Sequence, residues 1–442
     1  MQKSLILLGK ALANCLGLVL VCSMIAASFY ISVRNVVAES NGDFGMFWQV
    51  GHKIVIGDIA PIYTAAPKAT AESPLDPYLV FFCYPPHSAA ACTPLGLLPL
   101  KTSMGVFIAV QTAALLFASA LFAYSQAAKQ SLLRFLPRAM LITLVAATTF
   151  LPMAMTMSLG QPGVLIGFLP ITAAYVAMTK GRYQLAGIIL GVLVLKPQFL
   201  LPLGLLAIAC LLATFKARKH EGCAFITTNE LVKLAIGFAI TASVIVALGL
   251  SLFGIEGYLM WLQRLRSSVD FVYAHTGFEG YQEPYEMIAS LSMAIAFQCQ
   301  QIPTAIVKSA TSIFLFAAAL VEIFLLYRIA SSSLSKRNKL DLTLVTALLS
   351  LPVISPYFRI YDLSLLVLSA WIIFLGSPTS EKRALTIAKL LTFAFWLFVD
   401  FRCLLIPQEI ALKLTWINMA FVIAVTIYAL SIFLLLRPRE KH

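Results

Sequence analysis

The sequence predicts an all-α polytopic membrane protein, a bundle of about twelve transmembrane helices with two long loops on its outer face. Two observations on composition carry this prediction. Apolar residues make up 60% of the 442 residues, and charged residues make up only 12%. Soluble proteins have roughly 25% charged residues, so a soluble fold of this size could not cover its apolar surface. The composition therefore excludes a cytosolic enzyme, a secreted module and a disordered tail.

The distribution of positive charge is the third observation, and it sets the orientation. The formal net charge is +13, and the basic residues fall in short clusters between apolar runs. Such clusters are typical of cytoplasmic loops. They are Lys129, Arg134 and Arg138; Lys180 and Arg182; Lys216, Arg218 and Lys219; Lys336, Arg337 and Lys339; Lys382 and Arg383; and Arg437, Arg439 and Lys441. A nucleic-acid site would gather them on one soluble face, so no nucleic-acid partner is expected.

Twelve apolar runs approach or exceed the length of about 20 residues that crosses the hydrocarbon layer. The predicted helices are 11–33, 104–125, 139–158, 163–179, 184–196, 199–215, 231–253, 305–329, 340–355, 361–376, 384–405 and 414–436. Both termini are then cytoplasmic, and the first helix is interpreted as an uncleaved signal-anchor. Lys196-Pro197 predicts a break between two of the helices, because proline cannot continue a helix and disfavours helical backbone in the residue before it.

Two long segments lie outside in this topology, residues 34–103 and 254–304 of a single unit that spans residues 1–442. Long ordered loops in a compact protein usually carry function. The second segment predicts an amphipathic helix at the membrane surface over residues 258–266, with Arg264 and Arg266 able to meet lipid phosphates. A simple interfacial anchor explains the same pattern equally well.

Asp43 is the candidate catalytic residue of the first loop. It follows the first predicted span directly, within the stretch Asn-Gly-Asp-Phe-Gly-Met-Phe-Trp over residues 41–48. A carboxylate just beyond the membrane, among aromatic residues, suits a general base that takes a proton from a sugar hydroxyl. The alternative is a helix cap, since Asp is favoured at helix starts and a helix could begin at Phe44.

Further polar residues fall at helix ends on the same predicted face. These are Gln161, Lys196, Tyr357, Arg359 and Asp362. A lysine at membrane depth is costly, which makes Lys196 a functional candidate. Acid, amide and cation around one outer cavity suit a phosphorylated lipid whose sugar is to be moved. Each cation could instead be structural, because Lys and Arg side chains commonly extend from helix ends to the interface.

Several short motifs occur in an order that resembles glycosyltransferase family 87. They are Asp-Phe (43–44), Gly-Asp-Ile-Ala-Pro-Ile-Tyr (57–63), Tyr-Pro-Pro (84–86), Gly-Gln (160–161), Gly-Arg-Tyr-Gln-Leu-Ala-Gly (181–187), Leu-Lys-Pro-Gln (195–198), Ser-Pro-Tyr (355–357) and Tyr-Asp-Leu (361–363). The resemblance implies a GT-C fold and a polyprenyl-phosphate-mannose-dependent mannosyltransferase, or a related arabinofuranosyltransferase. It also implies that Asp43 is the base and that Tyr84, Gln161 and Lys196 line the donor cavity.

The expected reaction moves a hexose, with mannose first among the candidates, from a polyprenyl-phosphate donor to a lipid-linked or glycan acceptor. Polyprenyl phosphate is a good leaving group, so a single carboxylate base suffices and the anomeric carbon inverts, whereas glycosidases need two carboxylates. Lys196 and the arginines would neutralise the departing phosphate. The residues expected to do so are Lys196, Arg264, Arg266 and Arg359; those expected to line the acceptor side or the cavity are His87, Tyr357 and Asp362.

No cofactor or metal is expected, because the sequence shows no paired metal-ligand spacing. The expected location is the bacterial inner membrane, with the site on the periplasmic side and membrane lipids as partners. A lipid-linked-sugar flippase or secondary transporter is the alternative, supported by Glu322 and Asp400 within predicted spans. A polysaccharide polymerase or ligase with a pyrophosphate-linked donor is a third possibility. Cys83 and Cys92 share the first loop and could pair in an oxidising compartment.

Overall fold

The structure is a computed structural model, and the regular secondary structure of its described part is all helical. It describes residues 42–64, 82–126, 150–217, 226–274, 302–355, 360–376 and 382–405, together with 424, 427, 431 and 432. No β-strand occurs in these ranges. Three predicted helices lie wholly or partly outside the described residues: all of 11–33, the first part (139–149) of 139–158, and most of 414–436. The predicted number of twelve spans is therefore not established.

Most of the longer helices lie where the apolar runs predict them, but the predicted loop 34–103 also contains helices, and the helix predicted to end at residue 253 continues to Ala274. In chain order they are α1 (Gly42–Val55), α2 (Pro61–Thr64), α3 (Pro86–Ala91), α4 (Thr93–Gly96), α5 (Leu100–Gln126), α6 (Leu151–Ser158), α7 (Leu169–Thr179), α8 (Tyr183–Leu190), α9 (Leu200–Ala217), α10 (Thr228–Ala274), α11 (Thr304–Ala330), α12 (Lys336–Ile354), α13 (Leu366–Trp371) and α14 (Lys382–Leu405). A π-helical turn, Val164–Phe168, leads into α7, and another, Ile372–Gly376, follows α13. Short 3₁₀ segments are Gly191–Leu195, Pro197–Phe199 and Ile360–Leu365.

Within the described ranges, three helical stretches are long and apolar enough to cross a membrane. They are Leu100–Gln126, Thr228–Arg266 and Ala305–Ala330. Shorter apolar helices are Val164–Thr179, Tyr183–Leu195, Pro197–Ala213 and Asp362–Leu375. A helix rises about 1.5 Å per residue, so these shorter segments cannot each span a layer of roughly 30 Å alone. The prediction of a helical protein with apolar helices long enough to cross a membrane is confirmed for the described residues.

The break predicted at Lys196-Pro197 is present. The 3₁₀ segment Gly191–Leu195 ends at Lys196, whose backbone is extended out of the helix at φ −135° and ψ 85°. Pro197 has no N–H with which to continue the ladder. The chain therefore turns here and restarts as Pro197–Phe199 and α9.

Helices α8 and α10 pack against each other at two glycines. A Cβ added to Gly187 would lie 2.0 Å from the carbonyl oxygen of Leu234, and one added to Gly237 would lie 2.1 Å from that of Gln184. Small residues allow such close backbone approach between membrane helices. This crossing holds the segment that leads to Lys196 against α10, the longest helix among the described residues.

Helix α10 bends sharply at Gly254. That glycine has φ 61° and ψ −173°, in the left-handed half of backbone space that favours glycine. Beyond the bend, the Tyr258 hydroxyl reaches back to within 3.2 Å of the carbonyl oxygen of Val246. The two parts of α10 are therefore joined by a kink rather than forming one straight helix. Residues 258–266 are helical and belong to the part of α10 beyond the bend.

Candidate active site

Asp43 lies in the first turn of α1 and is bound to the far end of α6. The side-chain amide Nε2 of Gln161 donates a hydrogen bond to Asp43 Oδ2. The backbone N–H of Phe44 also donates to the carbonyl oxygen of Leu159, at 3.0 Å. The Asp43 side chain is half-buried, while Phe44 is fully buried. The first N–H groups and the last carbonyl groups of a helix have no partner within that helix. Here an N–H group at the start of α1 bonds a carbonyl group at the end of α6, so the two helix ends satisfy each other.

The geometry of α6 explains why Gln161 points at Asp43. Gly160 has φ 66°, its N–H donates to the carbonyl of Met157, and the N–H of Gln161 donates to the carbonyl of Thr156. This is the Schellman pattern, with glycine in the left-handed position just after the helix. A Cβ at Gly160 would lie 2.5 Å from Cβ of Phe44, so glycine is also required for the contact with α1.

Gln161 is 1% exposed, and the negative charge of Asp43 determines which end of its side-chain amide faces the carboxylate. Only its N–H group can bond a carboxylate, because a carboxylate is an acceptor alone. The other amide atom, Oε1, has no hydrogen-bond partner among the described residues. A buried acceptor without a partner is costly. A ligand hydroxyl or N–H would relieve that cost.

A second polar pair joins Lys196 to Asp362. Their side chains are 0% and 2% exposed and form a salt bridge. Nε2 of Gln198 donates to the other carboxylate oxygen of Asp362 at 3.2 Å, and the Lys196 ammonium lies 4.9 Å from the ring centroid of Phe199. A buried ammonium needs such a counterion. The residues come from two breaks in helical structure, the one before Pro197 and the 3₁₀ segment Ile360–Leu365.

The two pairs lie at the same end of the bundle, here named the Asp43 end. Helix α6 packs against the segment Ile360–Leu365. A Cβ at Gly163, two residues beyond Gln161, would lie 3.8 Å from Oγ of Ser364, two residues beyond Asp362. The structure therefore brings together Asp43, Gln161, Lys196 and Asp362, four residues that the topology predicts on one face.

The Tyr-Pro-Pro-His stretch connects the first loop to this end. Nε2 of His87 lies 2.9 Å from the carbonyl oxygen of Val194, and Oγ of Ser88 donates to that of Leu195 at 2.7 Å. The Tyr84 ring is half-buried, with its centroid 5.4 Å from that of Phe47 and 5.5 Å from that of Phe82. Tyr84 is thus part of the aromatic cluster on α1, while His87 contacts the break beside Lys196.

Burial changes the acid-base properties of this loop. It lowers the pKa of His87, although the hydrogen bond to Val194 acts in the opposite direction. It raises the pKa of the Cys92 thiol to about 12. Cys83 and Cys92 are thiols rather than a disulfide, and Sγ of Cys92 donates to the carbonyl of Ser88 at 3.3 Å.

The remaining predicted residues lie elsewhere or outside the described ranges. Nη1 of Arg264 donates to the carbonyl oxygen of Ile62 at 2.7 Å, so this guanidinium faces the protein. Arg266 is exposed on the same helix. Tyr357 and Arg359 lie outside the described residues. Sequence reasoning missed Gln198 as a partner of Asp362 and Tyr258 as a partner of His87. The available signals were that Gln198 lies two positions after Lys196 and that Tyr258 lies in the predicted interfacial helix.

The fold and these side chains define an integral membrane protein of α-helices with a buried polar site at one end of its bundle. Residues 82–356, more than half of the chain, match the family model of glycosyltransferase family 87. The chain belongs to glycosyltransferase family 87, as the motif order predicts. No curated protein and no solved structure matches it significantly.

The matched segment holds only part of the site. Gln161 and Lys196 lie inside residues 82–356, whereas Asp43 precedes that segment and Asp362 follows it. Each of the outer two bonds directly to one of the inner two. The tertiary structure thus connects residues on both sides of the family match to those within it.

Proposed function

We propose that this glycosyltransferase moves a hexose, with mannose the expected sugar, from a polyprenyl-phosphate donor to a lipid-linked or glycan acceptor. Asp43 acts as the general base, and the anomeric carbon inverts. The observation that carries this proposal is the bond from Gln161 to one oxygen of Asp43, beside a buried lysine–aspartate pair. A positioned base and a nearby cation are the groups that transfer from a phosphate leaving group requires.

The proposed step is a single displacement. Asp43 takes the proton of the acceptor hydroxyl while that oxygen forms a bond to the anomeric carbon. The bond from this carbon to the phosphate oxygen breaks, and its electron pair leaves with polyprenyl phosphate. Because Gln161 binds Oδ2, it fixes the rotation of the carboxylate and leaves Oδ1 to accept the proton.

Lys196 is proposed to stabilise the departing phosphate. In the structure its ammonium is paired with Asp362, which keeps the charge stable at membrane depth. A donor phosphate would share this ammonium with Asp362 as negative charge develops on the leaving oxygen. The unpartnered Oε1 of Gln161 is proposed to accept a hydrogen bond from a hydroxyl of the sugar or acceptor.

The distribution of charge supports a periplasmic site in the bacterial inner membrane. Helix α7 runs from the Gln161 side to Lys180, and α12 runs from Lys336 towards Ser355, so these basic residues lie at the opposite end from Asp43. Lysine and arginine accumulate on the cytoplasmic side of membrane proteins. The Asp43 end then faces the other compartment, where lipid-linked sugars are proposed to be consumed.

The test is release of polyprenyl phosphate by purified protein from a panel of polyprenyl-phosphate sugars. Asp43→Asn should lower turnover by about 100-fold or more, the usual contribution of a general base. Asp58→Asn is the matched control, because Asp58 lies in the same loop and its bond to Lys53, 2.5 Å long, is exposed. Wild-type turnover from a folded Asp43→Asn protein would remove Asp43 from the mechanism.

The transporter alternative is tested with the same protein reconstituted into lipid vesicles, which can hold an ion gradient. Glu322 is buried within α11, and its Oε1 has no hydrogen-bond partner among the described residues. A transporter should lose activity when the ion gradient collapses and when Glu322 is changed to Gln. A transferase in detergent needs no gradient, so we expect Glu322→Gln to keep its turnover.

A further inference from the structure

The backbone carbonyl groups of Val194 and Leu195, just before Lys196, form hydrogen bonds with side chains of α3 instead of with a following helical turn. The 3₁₀ segment ends at Leu195, and Pro197 supplies no N–H. A carbonyl left unpaired in apolar surroundings is costly. Nε2 of His87 meets the carbonyl oxygen of Val194 at 2.9 Å, and Oγ of Ser88 donates to that of Leu195 at 2.7 Å. Two consecutive residues of the first loop therefore bind the two residues before Lys196.

The second ring nitrogen of His87 is also engaged. Nδ1 lies 3.0 Å from the Tyr258 hydroxyl, and the two rings stack with centroids 5.9 Å apart. A carbonyl only accepts, so Nε2 carries the hydrogen that bonds Val194, and Nδ1 of the neutral ring is an acceptor. The single hydrogen of the Tyr258 hydroxyl is then shared between Nδ1 and the carbonyl oxygen of Val246, 3.2 Å away. Burial of His87, which is 8% exposed, favours this neutral form.

Helix α10 is shaped to receive this histidine. A Cβ at Gly249 would lie 2.6 Å from the backbone nitrogen of His87 and 2.5 Å from the Tyr258 hydroxyl oxygen. Tyr258 reaches this point because α10 folds back at Gly254. His87 thus bridges three parts of the molecule: the first loop, the break before Lys196 and the bend of α10.

We propose that His87 is a positioning residue for Lys196, one that sets where the ammonium lies for the leaving phosphate. This inference rests on the proposed function. The backbone of Lys196 is extended and has no helix to orient it. The bonds to Val194 and Leu195 hold the two preceding peptide groups and, through them, the direction of the lysine side chain. A displacement of about 1 Å at a catalytic group can lower a rate about 100-fold.

The test compares His87→Leu and His87→Gln. Leucine fills a similar volume but forms neither bond, so kcat should fall by about 100-fold, with a smaller change in KM for the donor. Glutamine can donate from its amide to the Val194 carbonyl and accept from the Tyr258 hydroxyl, so it should restore most of kcat. A residue that only stabilised the fold would not give rescue by glutamine together with a loss confined to kcat.

His52→Leu is the matched control. His52 lies in the same loop, but its Nδ1 is 3.5 Å from the carbonyl oxygen of Gly96 rather than from a carbonyl that precedes Lys196. We expect it to keep wild-type kcat, and melting temperatures should show that all three variants fold.

The possible results separate the two proposals. A folded His87→Leu protein with wild-type kcat would overturn the positioning role while leaving transfer itself intact. If His87→Leu does not fold, a folded His87→Gln protein with kcat as low as that of Asp43→Asn would overturn it as well. Wild-type protein that releases no polyprenyl phosphate from any donor would instead contradict the proposed function.

Discussion

Replacement of the buried pair separates a structural role for Lys196 from a catalytic one. Lys196→Met removes the ammonium and leaves the buried Asp362 carboxylate without its cation, while Gln198 still donates to it at 3.2 Å. Removal of one partner of a buried ion pair costs about 3–5 kcal/mol, because the other charge is left uncompensated. Asp362→Asn should cost a similar amount, since it leaves the Lys196 ammonium, 0% exposed, without its counterion.

The double variant, Lys196→Met with Asp362→Asn, contains neither charge. Its stability should return close to that of wild type, because neutral replacements of a buried pair are often tolerated. Gln198 can still donate to the asparagine carbonyl. Transfer should stay reduced by about 100–1,000-fold, the usual loss when one group that stabilises a transition-state anion is removed.

The assay measures denaturant unfolding and release of polyprenyl phosphate on the same four purified proteins. Recovery of both stability and transfer in the double variant would show that Lys196 is structural and refute its role with the phosphate. Lys196→Met with wild-type stability would contradict the buried, paired geometry itself.

Three further predictions concern the packing around the site. Gly160→Ala should destabilise the protein and lower turnover, because it combines a left-handed backbone with a clash against Phe44; thermal unfolding and turnover measure both effects. Gly187→Ala should lower the melting temperature through contact with α10, whereas Gly204→Ala, with open space around it, should not. Cys92 should resist alkylation at pH 8.5 until the protein unfolds, because burial raises its pKa to about 12. Since the unfolded thiol loses its proton first, stability should decline as pH rises from about 9 towards 12. Rapid labelling of native Cys92, or a Gly204 variant as unstable as the Gly187 one, would contradict these expectations.

The positions of the helices could be predicted because they depend on local properties. Apolar runs locate α5, α10 and α11, and the proline after Lys196 locates the break. The alternative of a helix start near Asp43 is partly right, since α1 begins at Gly42 rather than Phe44 and Asp43 lies in its first turn. The carboxylate nonetheless bonds Gln161, which no local pattern indicates.

The partners of the site residues could not be predicted, because they are far apart in the chain. Lys196 and Asp362 are separated by 166 positions, and His87 and Tyr258 by 171. Arg264 shows the same limit on prediction. The amphipathic pattern around it suggests a contact with lipid headgroups, whereas its guanidinium bonds the carbonyl of Ile62. The direction of such a side chain depends on which elements pack beside it.

The sequence by itself determined a helical membrane protein, its interruptions and the kinds of polar group at its helix ends. Hydrophobic length and proline geometry act over a few residues, so they can be recognised without a fold. Only the tertiary structure decided which acid meets which amide or ammonium. In an apolar bundle each buried polar group must find a partner, and that partner is provided by the packing of distant helices.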